Sequence, residues 1–74
     1  MKETMRENKQ EICNSLCATL QKTRDQRDLI ALDYDDANGI VLASYEDGSE
    51  IAVNVRGDSG VAMIADIISE IVKF

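Results

Sequence analysis

The 74 residues contain no histidine, no proline and no tryptophan, and only two cysteines. Without histidine there is no imidazole to act as a general base or to complete a zinc site. Cys13 and Cys17 stand four apart, on one face of a helical pattern, so they do not form the loop-closing framework of a small secreted domain. A reducing compartment suits them, and a cytoplasmic protein is expected. Long apolar runs are also missing: the longest, residues 61–65, is interrupted by Asp66. The first turn is mixed in charge and is not followed by an apolar stretch, so neither a signal peptide nor a membrane span is expected. The lack of proline, linkers and repeats points to one unit, a single domain over residues 1–74.

What is present is a short, half-apolar chain, with 45% hydrophobic residues. A chain this small removes only about 60% of its unfolded surface from water. It must therefore pack efficiently or gain burial by association. The net charge of −6 is unevenly placed. Residues 1–28 carry six bases and five acids, and residues 29–74 carry two bases (Arg56, Lys73) and nine acids. A negative surface repels phosphate backbones, so direct nucleic-acid binding is disfavoured and a protein partner with a basic surface is favoured.

Thr4 with Glu7 and Asn8 with Glu11 both have the form of a capping box, and a first helix over about 5–24 should begin at one of them. Ile12, Cys13, Leu16, Cys17 and Leu20 form its apolar stripe, leaving Lys9, Asn14, Gln21 and Lys22 outside. The helix should end near Thr23 to Gln26. From Leu29 the period becomes two, predicting strands at about 29–35, 40–46 and 49–56. Asp47-Gly48 predicts a two-residue type I′ hairpin. That turn would place Ile40, Leu42 and Ser44 opposite Val55, Val53 and Ile51 on one face. On the other face it would set Val41, Ala43 and Tyr45 opposite Asn54, Ala52 and Glu50. Between the first two strands, a three-residue loop Ala37-Asn38-Gly39 with Gly39 left-handed would put Tyr34 beside Leu42 and Leu32 beside Ser44. It would bring Ile30 to the same face.

After Gly57, a cap at Asp58 or Ser59 opens a second helix over about 59–73, with Val61, Ile64, Ile67, Ile68 and Ile71 at helical spacing. The expected fold is α+β, α-β-β-β-α, with a three-stranded antiparallel meander packed against helices. On this reading Leu29, Ala31, Val41, Ala43, Tyr45 and Ala52 form a flat second sheet face. Either the first helix covers it, making three layers, or both helices share the other face. In the second case Val41, Ala43, Tyr45 and Ala52 form an interface rimmed by Asp33, Asp35 and Glu50.

Motifs that suggest chemistry lack their context. Gly57-Asp58-Ser59-Gly60 spells the tetrapeptide around a serine-protease nucleophile, but no base exists to take the serine proton. Two thiols are too few for zinc, and buried small hydrophobes are the expected role of Cys13 and Cys17. Asp33, Asp35, Asp36 and Asn38 before Gly39 suggest a calcium loop. Counting from Asp33, however, puts Ala37 where a ligand should stand and Asn38 where glycine should. No catalytic residue, metal or cofactor is expected. An enzyme working through carboxylates alone would need a cleft that a thin core has little room to form.

The run Tyr45-Glu46-Asp47-Gly48-Ser49-Glu50, set in a helix, a three-strand meander and a helix, resembles the small acidic anti-CRISPR proteins that inhibit type II RNA-guided nucleases. The segment 58–68 is similar to a phrase in small reading frames of bacterial mobile elements. The resemblance implies a stoichiometric inhibitor of phage or mobile-element origin whose carboxylates occupy a basic groove of the nuclease. The candidates for that contact are Asp33, Asp35, Asp36, Glu46, Asp47 and Glu50. The chain departs from that family in its last helix, where only Asp66 and Glu70 are acidic. The alternative expectation is a homodimeric structural or accessory protein that buries the flat face or an edge strand against its own copy.

Overall fold

In the computed structural model, which describes residues 8–73, Asn8 starts the first helix. Its side chain accepts the Glu11 N–H at 3.0 Å, satisfying one of the unpaired donors of α1 (Lys9–Leu20). The alternative box of Thr4 and Glu7, and expected helical residues 5–7, lie outside the described residues. α1 ends at Leu20, short of the expected 24, because the chain tightens there. Lys22 N–H donates to the Thr19 carbonyl, and both the N–H and the hydroxyl of Thr23 donate to that of Leu20.

Three antiparallel strands follow in the order β1 (Leu29–Asp35), β2 (Ile40–Tyr45), β3 (Glu50–Asn54). α2 (Gly60–Lys73) closes the chain, with Ser59 Oγ accepting the Ala62 N–H at 3.2 Å as its cap. The α-β-β-β-α meander is thus the one the sequence predicts.

Both hairpins differ from expectation by one residue. A type I′ turn needs positive φ at both central positions, and among the described residues only glycines have positive φ. Asp47 therefore stays in an ordinary conformation, and Gly48, at φ 91°, becomes the third residue of a three-residue loop, Glu46-Asp47-Gly48. Gly48 N–H donates to the Tyr45 carbonyl at 3.0 Å and Tyr45 N–H to the Ser49 carbonyl at 2.9 Å. Val41 then pairs with Val53, Leu42 with Ala52 and Ala43 with Ile51. In the first hairpin Gly39 is left-handed as predicted, at φ 66°, but the loop has four residues, 36–39. Tyr34 pairs with Val41 and Leu32 with Ala43.

A one-residue slip exchanges the faces of a strand. Val41, Ala43 and Tyr45, expected on the second sheet face, opposite Leu32, Tyr34 and Val53, are instead on the same side as those residues, turned toward both helices and buried to 4% exposure or less. A register shift between Leu29 and Ala31 makes Ile30 a bulge. It resets the alternation, so that Leu29 and Leu32 are both buried while Ile30, expected on the core face, is 54% exposed.

Both helices lie on this one face, giving two layers. The core joins Cys13, Cys17 and Leu20 of α1 to Leu32, Val41, Ala43 and Val53 of the sheet and to Met63, Ile67 and Ile71 of α2. α2 is rotated from its predicted stripe. Met63 faces the sheet, and Val61 is 77% exposed.

Candidate functional site: the open sheet face

With both helices on one side, the other side of the sheet has no covering layer among the described residues. The pairings arrange it as three rows across the strands. Asp35, Ile40 and Asn54 form the first row, Asp33, Leu42 and Ala52 the second, and Ala31, Ser44 and Glu50 the third. Neighbouring strands stand about 4.8 Å apart. The centre, Ile40 and Leu42, is apolar and half-buried, and the carboxylates of Asp33, Asp35 and Glu50 stand on the two outer strands. Of the residues expected to make a sheet-face contact, only Ala52 lies here. Val41, Ala43 and Tyr45 are on the opposite side because the hairpins take the longer loops.

The six carboxylates singled out from the sequence do not form one cluster. Asp33, Asp35 and Glu50 share the open face. Asp36 sits in the β1–β2 loop, and Glu46 and Asp47 sit in the β2–β3 loop, at opposite ends of a strand roughly 17 Å long. Several are engaged locally. Asp35 accepts the Asn38 N–H at 3.2 Å and its Nδ2–H at 2.7 Å, and these bonds hold its carboxyl below the usual range. Asp36 accepts the Tyr34 hydroxyl at 3.0 Å, which with burial pushes the phenol upward. Asp47 accepts both the N–H and the hydroxyl of Ser49, and is likewise held low. Asp35, Asp36 and Asp47 are therefore engaged within or beside the turns, and of the six only Asp35 is half-buried, the others being exposed.

The helix side holds residues that sequence periodicity places at the surface. Gln10 Oε1 accepts the Tyr34 N–H at 2.8 Å, and its Nε2–H donates to the Leu32 carbonyl at 3.1 Å. Gln21 Nε2–H donates to the Leu29 carbonyl at 2.8 Å. Cys17 Sγ–H points at the Ile30 carbonyl, 3.6 Å away. α1 thus lines the outer edge of β1 with side-chain partners. Lys9, also expected outside, donates to the Asp58 carbonyl at 2.7 Å and stands 5.6 Å from the centre of the Tyr34 ring. Helical periodicity carries no signal for these contacts, since a glutamine beside the apolar stripe reads as solvent-facing.

Burial, reinforced by the Asp33 charge, pushes both the Cys13 and Cys17 thiols up, which keeps them protonated and poorly nucleophilic. Among the described residues no group of three or more Cys, Asp or Glu is placed to hold a metal ion. No described helix is long and apolar enough to cross a membrane. A shallow groove between α1 and α2 is lined by Ile12, Leu16 and Ile64, with Glu11 at its rim.

No family model matches the chain, and no curated protein or solved structure matches it either.

Proposed function

We propose that this chain is a non-enzymatic protein-binding module that presents its open sheet face to a partner with a basic surface. The observation that supports this reading is the arrangement of that face, with Ile40 and Leu42 at its centre and Asp33, Asp35 and Glu50 on the flanking strands. An apolar centre supplies area to desolvate, and flanking charge supplies orientation and encounter rate. The net charge of −6 adds long-range attraction to a basic surface. In the phage or mobile-element setting that the resemblance implies, that surface is the DNA-binding groove of a type II RNA-guided nuclease. The chain would then be a stoichiometric inhibitor that occupies phosphate sites.

The test is a titration of the purified chain into such a nuclease, reading binding and DNA cleavage together at two salt concentrations. Saturation at one chain per nuclease, weakening with salt, is expected. Asp33→Lys should weaken binding about tenfold or more, since it replaces attraction with repulsion at the face. Glu46→Lys, on a hairpin tip, should change it much less. Absence of binding would remove the nuclease as partner. Equal loss in both variants would remove the open face as the contact.

A further inference from the structure

The two edges of the sheet are treated differently. Along β1, side chains of α1 occupy the outward backbone groups: Gln10 at Leu32 and Tyr34, Gln21 at Leu29, and Cys17 at Ile30. Along β3 the strand order leaves the outer edge without a neighbouring strand among the described residues. Ser49 accepts from Tyr45 N–H, and Val55 N–H donates to the Gly39 carbonyl, so odd-numbered residues of this segment aim their backbone at β2. By alternation Glu50, Ala52 and Asn54 aim theirs outward. All three are exposed. This edge carries no proline, lysine or bulge, the devices that usually discourage strand addition.

We propose that the β3 edge pairs antiparallel with the β3 edge of a second copy, on a two-fold axis through Ala52. In that register Ala52 faces the partner's Ala52, and Glu50 faces the partner's Asn54 on each side of the axis. Each of these three pairs exchanges two backbone hydrogen bonds, because all three residues present both groups outward. Every Glu50 carboxylate meets an amide that can donate to it, and no like charges are opposed. On the helix side of the sheet the same register sets half-buried Ile51 against the partner's Val53, which removes further apolar surface from water.

Competing registers oppose like charges or leave outward residues unpaired. An axis midway between two residues sets outward groups against residues whose backbone already faces β2. An axis through Ile51 or Val53 pairs only two outward residues, Glu50 with Ala52 or Ala52 with Asn54, and sets the third against Gly48 or Arg56, beyond the end of the strand. Centring on Glu50 opposes two carboxylates across one pair, within about 5.5 Å. Centring on Asn54 sets Ala52 against Arg56, beyond the end of the strand, and leaves Glu50 with no strand residue opposite. Only the Ala52 axis engages all three outward residues. The product is a continuous antiparallel sheet of twice three strands, with both open faces on one side. This pairing uses the edge and not the face, so it stands or falls independently of the function proposed above.

The experiment is sedimentation equilibrium of the full chain across a wide concentration range. The wild type should approach twice the chain mass of 8.2 kDa as concentration rises. Asn54→Glu places two carboxylates opposite each other on both sides of the axis, and should raise the dimer dissociation constant about tenfold or more. The double variant Glu50→Lys with Asn54→Glu restores opposite charges at those pairs and should recover the dimer. Ala52→Pro removes an outward N–H that the monomer's own sheet does not use, so it should give monomers with an unchanged circular dichroism spectrum. It carries the test should Asn54→Glu not fold. A wild type that stays monomeric throughout overturns the proposal. So does a dimer that survives Ala52→Pro, and a double variant that stays monomeric overturns the register.

Discussion

Gln10 holds Tyr34 as a neighbouring strand would. Its side-chain amide takes the Tyr34 N–H at 2.8 Å and returns a donor to the Leu32 carbonyl at 3.1 Å, closing the edge of β1 from a helix. Both bonds are partly buried, so their loss leaves backbone groups that water reaches poorly. We predict that Gln10→Ala lowers stability by about 1–2 kcal/mol, or roughly 4–8 °C in Tm for each kcal/mol in a domain of this size. Gln10→Glu keeps the acceptor but loses the donor and should fall between the two. Hydrogen exchange at the Tyr34 amide is the specific readout. Protection there that is unchanged in Gln10→Ala would mean the amide is not held by this side chain.

Gly39 combines a left-handed backbone with a close neighbour. At φ 66°, an added Cβ would meet the Arg56 Cβ at 2.9 Å, because the chain leaving β3 crosses the β1–β2 loop there. Val55 N–H bonds the Gly39 carbonyl, and the Arg56 guanidinium bonds that of Asn38, so the crossing is fixed. Gly48 is also left-handed, at φ 91°, but has nothing within 4 Å of an added Cβ. Gly39→Ala should cost about 1–2 kcal/mol for the backbone alone, with the Arg56 clash added to it. Gly48→Ala should cost less. Denaturant unfolding of the two variants decides this, and equal losses would leave the Arg56 contact without energetic weight.

Asp58 and Asp66 give stability a pH dependence of unusual sign. The neighbouring Asp66 carboxyl, with which Asp58 can share a proton, and then partial burial push Asp58 above the ordinary carboxylate range. Asp58 Oδ2 is buried and, among the described residues, has no hydrogen-bond partner. A carboxyl raised on folding adds stability that is complete below its unfolded value and is lost as pH rises through the folded one. Asp35 and Asp47, held low by Asn38 and Ser49, act in the opposite direction and lose their contribution as pH falls. Asp58→Asn retains a donor toward Asp66 and removes one charge of the pair. It should therefore melt higher than the wild type at neutral pH, with the gain shrinking as pH drops through the carboxylate range. A lower melting temperature at neutral pH would show that the Asp58 charge has a favourable partner that outweighs Asp66.

Much of this architecture is legible in the residues, and the places where legibility fails are specific. Asn8 with Glu11 marks the start of a helix because the donors of a first turn need an acceptor, and Ser59 marks another. Gly39 and Gly48 mark reversals because the loops need positive φ there and side chains resist it. What resists reading is the exact loop length. Asp47-Gly48 serves a two-residue or a three-residue loop, and Gly39 closes a loop of three or four, with no local difference large enough to choose.

The sequence by itself determined the order α-β-β-β-α, two alternatives for each helix cap, the left-handed Gly39 and Gly48, and an acidic second half. Tertiary structure decided which side of β2 is the inside. Ile40 and Leu42 on one face and Val41, Ala43 and Tyr45 on the other are both apolar, so a period of two marks a strand without orienting it. The choice falls to packing. The flat Ala43 lies under the helix layer, the Tyr45 hydroxyl finds Gln26 at 2.8 Å, and the bulge at Ile30 brings Leu29 and Leu32 to the same side. Those contacts join residues far apart in the chain, and no local pattern encodes them.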